Sequence, residues 1–304
     1  MPARFHAFPP DRAALMRLLD DGVHYRIGRD AACELHLDHA SVSRAHATLE
    51  SGGAGWVLRD SGSKNGVQVD GERVACAALD RLTWFAIGDV YCSLEPVDAA
   101  AAVRLQQQTE NRRVVSRWLS ARLSPSLGID TLVAQMLDVA LELAGLERGF
   151  VLYAPPGEPL RVRAQRGLPS ADIGGADFAG SVAAVDRAFA GRTSVVCCDT
   201  SESPWLGARP SVRLGGIRAV VCVPLQARQQ AFGVLYADSR QPGPAITELD
   251  LELIEAVAGH VAAALAARQL RGEVAELLRA AANAGLQAPR WDELRSRVPR
   301  GEEA

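Results

Sequence analysis

From residue 14 to 96 apolar and polar positions alternate in short runs: "HYRIGR", "ELHLD", "HATLE", "GWVLRD", "GVQVDGERV" and "FAIGDVYCSLE". A period of two sends successive side chains to opposite faces of a strand, and the Asp-Gly, Gly-Gly and Asn-Gly pairs between runs favour tight turns. An N-terminal all-β sandwich over residues 1–96 is the expected result. At Asp98 the pattern changes. The stretch to Leu123 has neither Gly nor Pro, is rich in helix formers and carries Val114, Val115, Trp118 and Leu119 at helical spacing, which predicts a helical connector over 97–123.

The second half alternates between the two periods, as in a mixed α/β (α+β) domain. "IDTLVAQMLDVALELAGL" places Ile129, Leu132, Val133, Met136, Val139, Ala140 and Leu143 on one helix face, suited to packing on a sheet. Strands are predicted at "GFVLYA", "LRVRAQ", "TSVVCC", "RAVVCVPL" and "FGVLYADS", with a short helix near "SVAAVDRAFAG". A long helix begins near Thr247, where "TELD" supplies an N-cap and early acidic residues, and runs to about Asn283. The domain is expected over 124–268, with a helical extension and tail over 269–304. In the last helix Ile254, Val257, Val261, Ala264 and Leu265 form a stripe one domain can use. Leu270, Val274, Leu277 and Leu278 continue it and need a partner, for which a second subunit in a homodimer is favoured over folding back on the same chain.

Composition narrows the function classes. With 48% hydrophobic and 23% charged residues among 304, the chain can bury two sizeable cores. No run is long and apolar enough for a membrane helix, and "MPARFHAFPPDR" lacks the apolar centre of a signal peptide, so a cytoplasmic protein without membrane association is expected. A net charge of −3 without a dense basic block argues against nucleic-acid binding. Cys33, Cys76, Cys92, Cys197, Cys198 and Cys222 lack metal spacing and mostly sit in apolar runs, so they read as buried thiols rather than disulfides or metal ligands. Lys64 is the only lysine; every other basic residue among the 33 is Arg.

That lysine lies in the third of three separated motifs: "IGRD" at Ile27 to Asp30, "SVSRAH" at Ser41 to His46 and "SKNG" at Ser63 to Gly66. A phosphate dianion held on loops wants a fixed guanidinium, a small hydroxyl donor and backbone N–H groups, which Arg29, Ser43 and residues 63–66 can supply. In order and spacing the motifs resemble those of the forkhead-associated (FHA) domain. The resemblance implies phosphate contacts from Arg29 and Ser43, added charge from Arg44 and Lys64, and a clamp on the peptide backbone from Asn65. It implies structural support from Gly28, His46 and Gly66, and a preference for phosphothreonine through a niche for its methyl group. One departure is "LDRLTWFAIGDV", which lacks the family's Gly-Asp at its usual place before the penultimate strand.

Residues 124–268 resemble a GAF domain, on "IDTLVAQMLDVALELAGLERGFVLY", "RAVVCVPL" and "FGVLYADS" ahead of "ITELDLELIEAVAGHVAAAL". The resemblance implies a pocket on one side of the sheet for a small molecule, or a domain used for dimer contacts. Phe178, Phe189, Asp199, Trp205 and Arg209 are the pocket candidates. "SESPWLGARPSVRLGG" does not carry the signature of cyclic-nucleotide-binding members, and Cys197 and Cys198 are followed by Asp199 rather than the His usual at pigment attachment, so no cofactor is expected.

No phosphate-binding Gly-Lys loop, His-Glu-x-x-His or Gly-x-Ser-x-Gly is present, so the chain is not expected to be an enzyme. The catalytic or activator domains that follow such modules in relatives do not fit after residue 284, so a partner is expected to supply the output. The sequence therefore reads as a multidomain signalling adaptor. It would bind a phosphothreonine-containing protein, such as a Ser/Thr kinase or its substrate, and sense a small ligand or dimerise through the second domain. The alternative is a small-molecule sensor, of a nucleotide for example, in which the phosphopeptide site is secondary or serves self-association.

Overall fold

The first strand, β1 (Ala3–Phe8), buries Ala3, Phe5 and Ala7 and turns Arg4, His6 and Phe8 to the opposite face. The structure, a computed structural model, describes residues 1–53, 55–122, 128–155, 157–168, 180–227, 230–241 and 245–283, with 115–122 described as backbone only. Ten further strands complete the N-terminal sandwich: β2 (Leu15–Leu19), β3 (His24–Gly28), β4 (Leu35–His36), β5 (Ala47–Gly52), β6 (Gly55–Asp60), β7 (Val67–Val69), β8 (Glu72–Val74), β9 (Cys76–Leu79), β10 (Thr83–Ile87) and β11 (Val90–Pro96). One sheet runs β2-β1-β11-β10-β7-β8 and the other β4-β3-β5-β6-β9. Phe5, Leu49, Trp56, Leu58, Phe85 and Ile87 interdigitate between them.

Two expectations shift here. "ELHLD" contributes only Leu35 and His36 as strand, and β1, ahead of the alternating region, sits inside its sheet between β2 and β11. Cys33, Cys92, Cys197 and Cys222 are buried, Cys198 is half-buried, and Cys76 is exposed on the edge strand β9. Burial pushes the Cys197 thiol up to about 12 and raises Cys92 and Cys222 as well, so these thiols stay protonated and act as small apolar groups.

Helix α1 (Ala99–Arg122) connects the two halves. The C-terminal domain is a five-stranded antiparallel sheet in the order β13-β12-β16-β15-β14, formed by β12 (Arg148–Tyr153), β13 (Arg161–Arg166), β14 (Val195–Cys197), β15 (Ala219–Ala227) and β16 (Gln230–Ser239). Helix α2 (Ile129–Ala144) buries Leu132, Val133, Met136, Val139, Ala140 and Leu143, as its spacing predicts; Ile129 packs at the margin. The other sheet face carries α3 (Val182–Gly191), the single turn α4 (Pro204–Gly207) and α5 (Pro210–Gly215). The long last helix, α6 (Glu248–Asn283), starts from a reciprocal cap. Thr247 Oγ1 accepts the Asp250 N–H at 3.2 Å, and Asp250 Oδ2 accepts the Thr247 N–H at 2.9 Å. The tail beyond Asn283 lies outside the described residues.

That cap also joins the two domains. Ala14 N–H donates to the Ile246 carbonyl at 2.8 Å and Glu248 N–H donates to the Ala14 carbonyl at 3.0 Å. Arg17 pairs with Glu248 at 3.0 Å, and Arg112 of α1 reaches Asp250 at 2.5 Å and the Leu143 carbonyl at 3.2 Å.

Under α3 lies a buried polar cluster. Arg148 Nε donates to Asp238 Oδ1 at 2.6 Å across the β12–β16 pair, and two residues before Asp238 on β16 the Tyr236 Oη accepts the Ser181 N–H at 3.0 Å beside the α3 N-cap. Removing the carboxylate leaves a guanidinium buried without its counter-charge. Asp238→Ala is therefore expected to cost about 3–5 kcal/mol in urea unfolding followed by circular dichroism, and Asp238→Asn less, because an acceptor remains.

Candidate functional site

Three loops converge at one end of the sandwich: the residues after β3, those before β5, and the β6–β7 connection. Their backbones are cross-tied. Arg29 N–H donates to the Ser43 carbonyl at 2.9 Å and Asp30 N–H to the Arg44 carbonyl at 3.1 Å. His46 is fully buried beneath them. Its Nδ1 accepts the Ser43 N–H at 3.0 Å, which puts the ring hydrogen on Nε2, where it donates to the Gly66 carbonyl at 3.0 Å. One imidazole thus holds the Ser43 loop and the Gly66 loop at a fixed separation.

The glycines permit this closeness. A Cβ at Gly28 would collide with the Arg44 carbonyl oxygen, and Gly66 has φ +79° with the Arg73 guanidinium packed where a Cβ would be. Gly66 N–H in turn donates to Ser63 Oγ at 2.9 Å, and Ser63 N–H to Asp60 Oδ1 at 3.0 Å.

Above this frame the loops enclose an open basin of about 850 Å³, lined among others by Arg29, Ser43, Arg44, Lys64 and Asn65. All five residues expected to contact a phosphopeptide therefore meet at one surface. Arg29, which lines the basin, is anchored through Nε on the Val42 carbonyl at 3.3 Å, which leaves the two terminal nitrogens of the fork without a hydrogen-bond partner among the described residues. Ser43 Oγ accepts the Lys64 N–H at 3.1 Å, so its own hydrogen remains to donate. Asn65 Nδ2 donates to the Ser41 carbonyl at 2.7 Å, which fixes the amide and leaves its oxygen exposed. None of Arg29, Arg44 and Lys64 pairs with a carboxylate among the described residues. The neighbouring Arg26, by contrast, is taken up by Glu34, whose carboxyl is held down at about 2 by that guanidinium. A half-buried hydroxyl beside three cations that make no ion pair among the described residues has the chemistry to hold a compact, multiply charged anion.

Two supporting residues were not singled out in the sequence. Ser41 shares its carbonyl with Asn65 and its hydroxyl with His39 Nδ1 at 2.8 Å and with the Asp89 N–H at 2.8 Å. Arg73 braces the β6–β7 loop through the Ser63 carbonyl at 3.4 Å. The Gly-Asp pair missing at its usual place stands instead as Gly88-Asp89 in the β10–β11 turn, against Ser41. Only the first Ser of "SVSRAH" could have signalled this.

The candidates in the second domain do not gather in the same way. Phe178 lies outside the described residues. Phe189 and Trp205 pack against the apolar cluster of Phe150, Leu206, Val220, Val234 and Tyr236 under α3. Arg187 stacks over the Trp205 ring at 4.4 Å, and Arg209 Nε donates to the Trp205 carbonyl at 3.3 Å. Burial would push the Asp199 carboxyl up, but hydrogen bonds from Ser201 and the Arg218 guanidinium at 2.9 Å hold it below the usual range. Trp205 and Asp199 line two different hollows, each shared with the N-terminal sandwich.

No helix among the described residues is long and apolar enough to cross a membrane. Among known proteins, the family model described as FHA domain matches residues 25–82 and the one described as GAF domain matches 128–265. No curated protein matches the chain. Similar solved structures include the FHA domain of the CT664 protein from Chlamydia trachomatis, 27% identical over 31% of this chain and 99% of that one, with TM-score 0.28. Another is EmbR from Mycobacterium tuberculosis in complex with a low-affinity phosphopeptide, 29% identical over 31% of this chain and 24% of that one, with TM-score 0.27. A third is the GAF domain region of a protein from Geobacter sulfurreducens, 22% identical over 46% of this chain and 95% of that one, with TM-score 0.39. The motifs that line the basin and the two family matches agree: the chain is built from an FHA domain followed by a GAF domain.

Proposed function

We propose that the chain is a signalling adaptor. Its FHA domain docks, through Arg29, Ser43, Arg44, Lys64 and Asn65, onto a segment phosphorylated on threonine, as in a Ser/Thr kinase or its substrate. Its GAF domain senses a small molecule or supplies dimer contacts. The observation that carries the reading is the basin: three cations without carboxylate partners among the described residues surround the Ser43 hydroxyl, on loops tied by one buried histidine. A phosphate monoester supplies the charge and acceptor oxygens such a basin lacks.

Binding of a phosphothreonine peptide to the full chain, read by titration calorimetry against the unphosphorylated peptide, tests the reading. Only the phosphorylated form is expected to bind, and equal binding of both sinks it. Arg29 is fixed on the Val42 carbonyl and offers a planar fork, so Arg29→Ala is expected to cost about 2 kcal/mol or more of affinity. Lys64 is a flexible, exposed ammonium, and Lys64→Ala is expected to cost roughly 0–1 kcal/mol. Equal losses at the two positions contradict this ranking.

The phosphate's second ionisation lies near pH 6, so the dianion predominates above that pH and is lost below it. Affinity is therefore expected to be full at neutral pH and to fall as pH drops through about 6. A flat profile between pH 7.5 and 5, read as about the span of that titration, argues against recognition of the dianion.

Helix α6 supports self-association. Its last buried residue is Leu265, after which Leu270, Val274, Leu277 and Leu278 are 43%, 53%, 70% and 66% exposed. Residues 270, 274 and 277 fall on one helical face, and Glu273, Glu276, Arg271 and Arg279 flank it with both signs of charge, the pattern of a helix paired with its own copy. Light scattering is expected to give a dimer for the full chain at tens of micromolar, by the usual range of such interfaces, and a monomer for Leu270→Glu combined with Leu277→Glu. A monomeric full chain at those concentrations overturns the dimer.

A further inference from the structure

The basin has a neighbour of opposite character. Ser41, which lines the basin and holds Asn65 through its carbonyl, holds the β10–β11 turn through its hydroxyl, accepting the Asp89 N–H at 2.8 Å. On the far side of that turn a second groove of about 520 Å³ runs along the outer face of the six-stranded sheet, past Gln68, Asp70, Asp89, Trp84 and Tyr91. Trp84 and Tyr91 are 51% and 54% exposed, unusual for large aromatics on a sheet face. They are also held in place. Trp84 stacks on Phe8 with centroids 5.6 Å apart, and Phe8 is the register partner of Tyr91. No Arg, Lys or His lines this groove, and the Asp70 and Asp89 carboxylates have no partner among the described residues.

We propose that this groove is the specificity site for the flank of the phosphorylated segment, and that it selects apolar side chains interspersed with Arg or Lys. The inference rests on the phosphopeptide reading of the basin. Phosphate would sit among the cations, the backbone would pass Asn65 and the Ser41 loop, and the flank would cross the Gly88-Asp89 turn onto the aromatic face. Tyr91 lies two residues from Asp89 along β11, or about 7 Å, and Trp84 four residues from Gly88 along β10, or about 13 Å. An extended peptide covers ~3.3 Å per residue, so roughly four to six flanking residues reach both rings. Pre-oriented aromatics give apolar side chains a contact that costs little ordering, and a guanidinium can lie over an indole face while it pairs with Asp70 or Asp89. A segment with phosphate at one end and basic charge at the other matches the charge of both grooves; an acidic flank would meet two uncompensated carboxylates.

Labelled peptides titrated into the full chain by fluorescence anisotropy test this. A short phosphothreonine core is compared with the same core extended on its N-terminal or C-terminal side by alternating Leu and Arg, or by alternating Leu and Glu. One of the two Leu/Arg extensions is expected to tighten binding about tenfold over the core, and neither Leu/Glu extension to do so. Trp84→Ser combined with Tyr91→Thr is expected to abolish the gain and leave core affinity unchanged. Asp70→Asn combined with Asp89→Asn is expected to reduce both the gain and its salt sensitivity. Thermal melts by circular dichroism establish that the variants fold; both aromatics are half-exposed, so little buried surface is lost. A gain that is absent on both sides, or that survives in the Trp84/Tyr91 variant, overturns the proposal. Failure of the core itself to bind overturns the phosphopeptide reading and this inference with it, and is recognised because it occurs without any extension.

Discussion

A buried imidazole bonded on both sides sets the geometry on which the N-terminal site depends. His46 takes the Ser43 N–H on one nitrogen and gives its hydrogen to the Gly66 carbonyl from the other, so two loops about 20 residues apart in sequence are fixed to one rigid ring. Either loop alone would have exposed backbone groups free to bond water. Held together, they direct Ser43 and the Lys64 N–H toward each other and place Arg29 and Arg44 around the same volume. The site is pre-formed, so a ligand would spend little of its interaction energy on ordering the loops.

The cations are kept free by what surrounds them. Glu34 is committed to Arg26 through both oxygens, and Asp30, which lines the basin, caps the Ala32 N–H within its own turn. Across the β10–β11 turn Asp70 and Asp89 stand beside the exposed aromatics. One end of the sandwich thus separates positive and negative surfaces by the width of a single turn braced on Ser41. The separation is a property of loop placement, since the domain shares a chain whose net charge is only −3.

The basin was legible in the sequence because every residue in it belongs to a short motif whose chemistry survives without knowledge of the fold: a guanidinium, a hydroxyl, an amide, and glycines at turns. The apolar spacing of α2 and the run from Thr247 were legible for the same reason, since period alone decides which face is buried. Features that depend on distant partners were not. β1 precedes the clear alternation and becomes a central strand only because β2 and β11 flank it. Cys76 looked like its buried neighbours, yet β9 is an edge strand and leaves it exposed. In the GAF domain the candidates were chosen by side-chain type within one loop. There Arg187 covers the Trp205 ring face and Asp199 turns to Arg218, so the ring face and the carboxylate are engaged within the chain, while the buried Trp205 Nε1–H has no partner among the described residues.

The junction between the domains makes them dependent on one another for a further reason. Ala14 lies just before β2 and gives both its backbone groups to the segment that caps α6, while Asp250, the capping residue, also accepts Arg112 from α1. The start of α6 therefore has its cap, its strand-like neighbour and its connector contact in one place. Any rearrangement in the GAF domain that rotates α6 must break the Ala14 pairs or carry β2 with it, and β2 is hydrogen-bonded to β1 in the sheet whose outer face carries Trp84 and Tyr91. Backbone pairs of this kind change in discrete steps rather than by gradual bending, because each bond is either made or exchanged for water. A GAF domain that altered the seat of α6 would act on the sheet beside the cationic basin through the hydrogen-bonded ladder from β2 to β1, β11 and β10, with no need for a ligand to reach the basin itself.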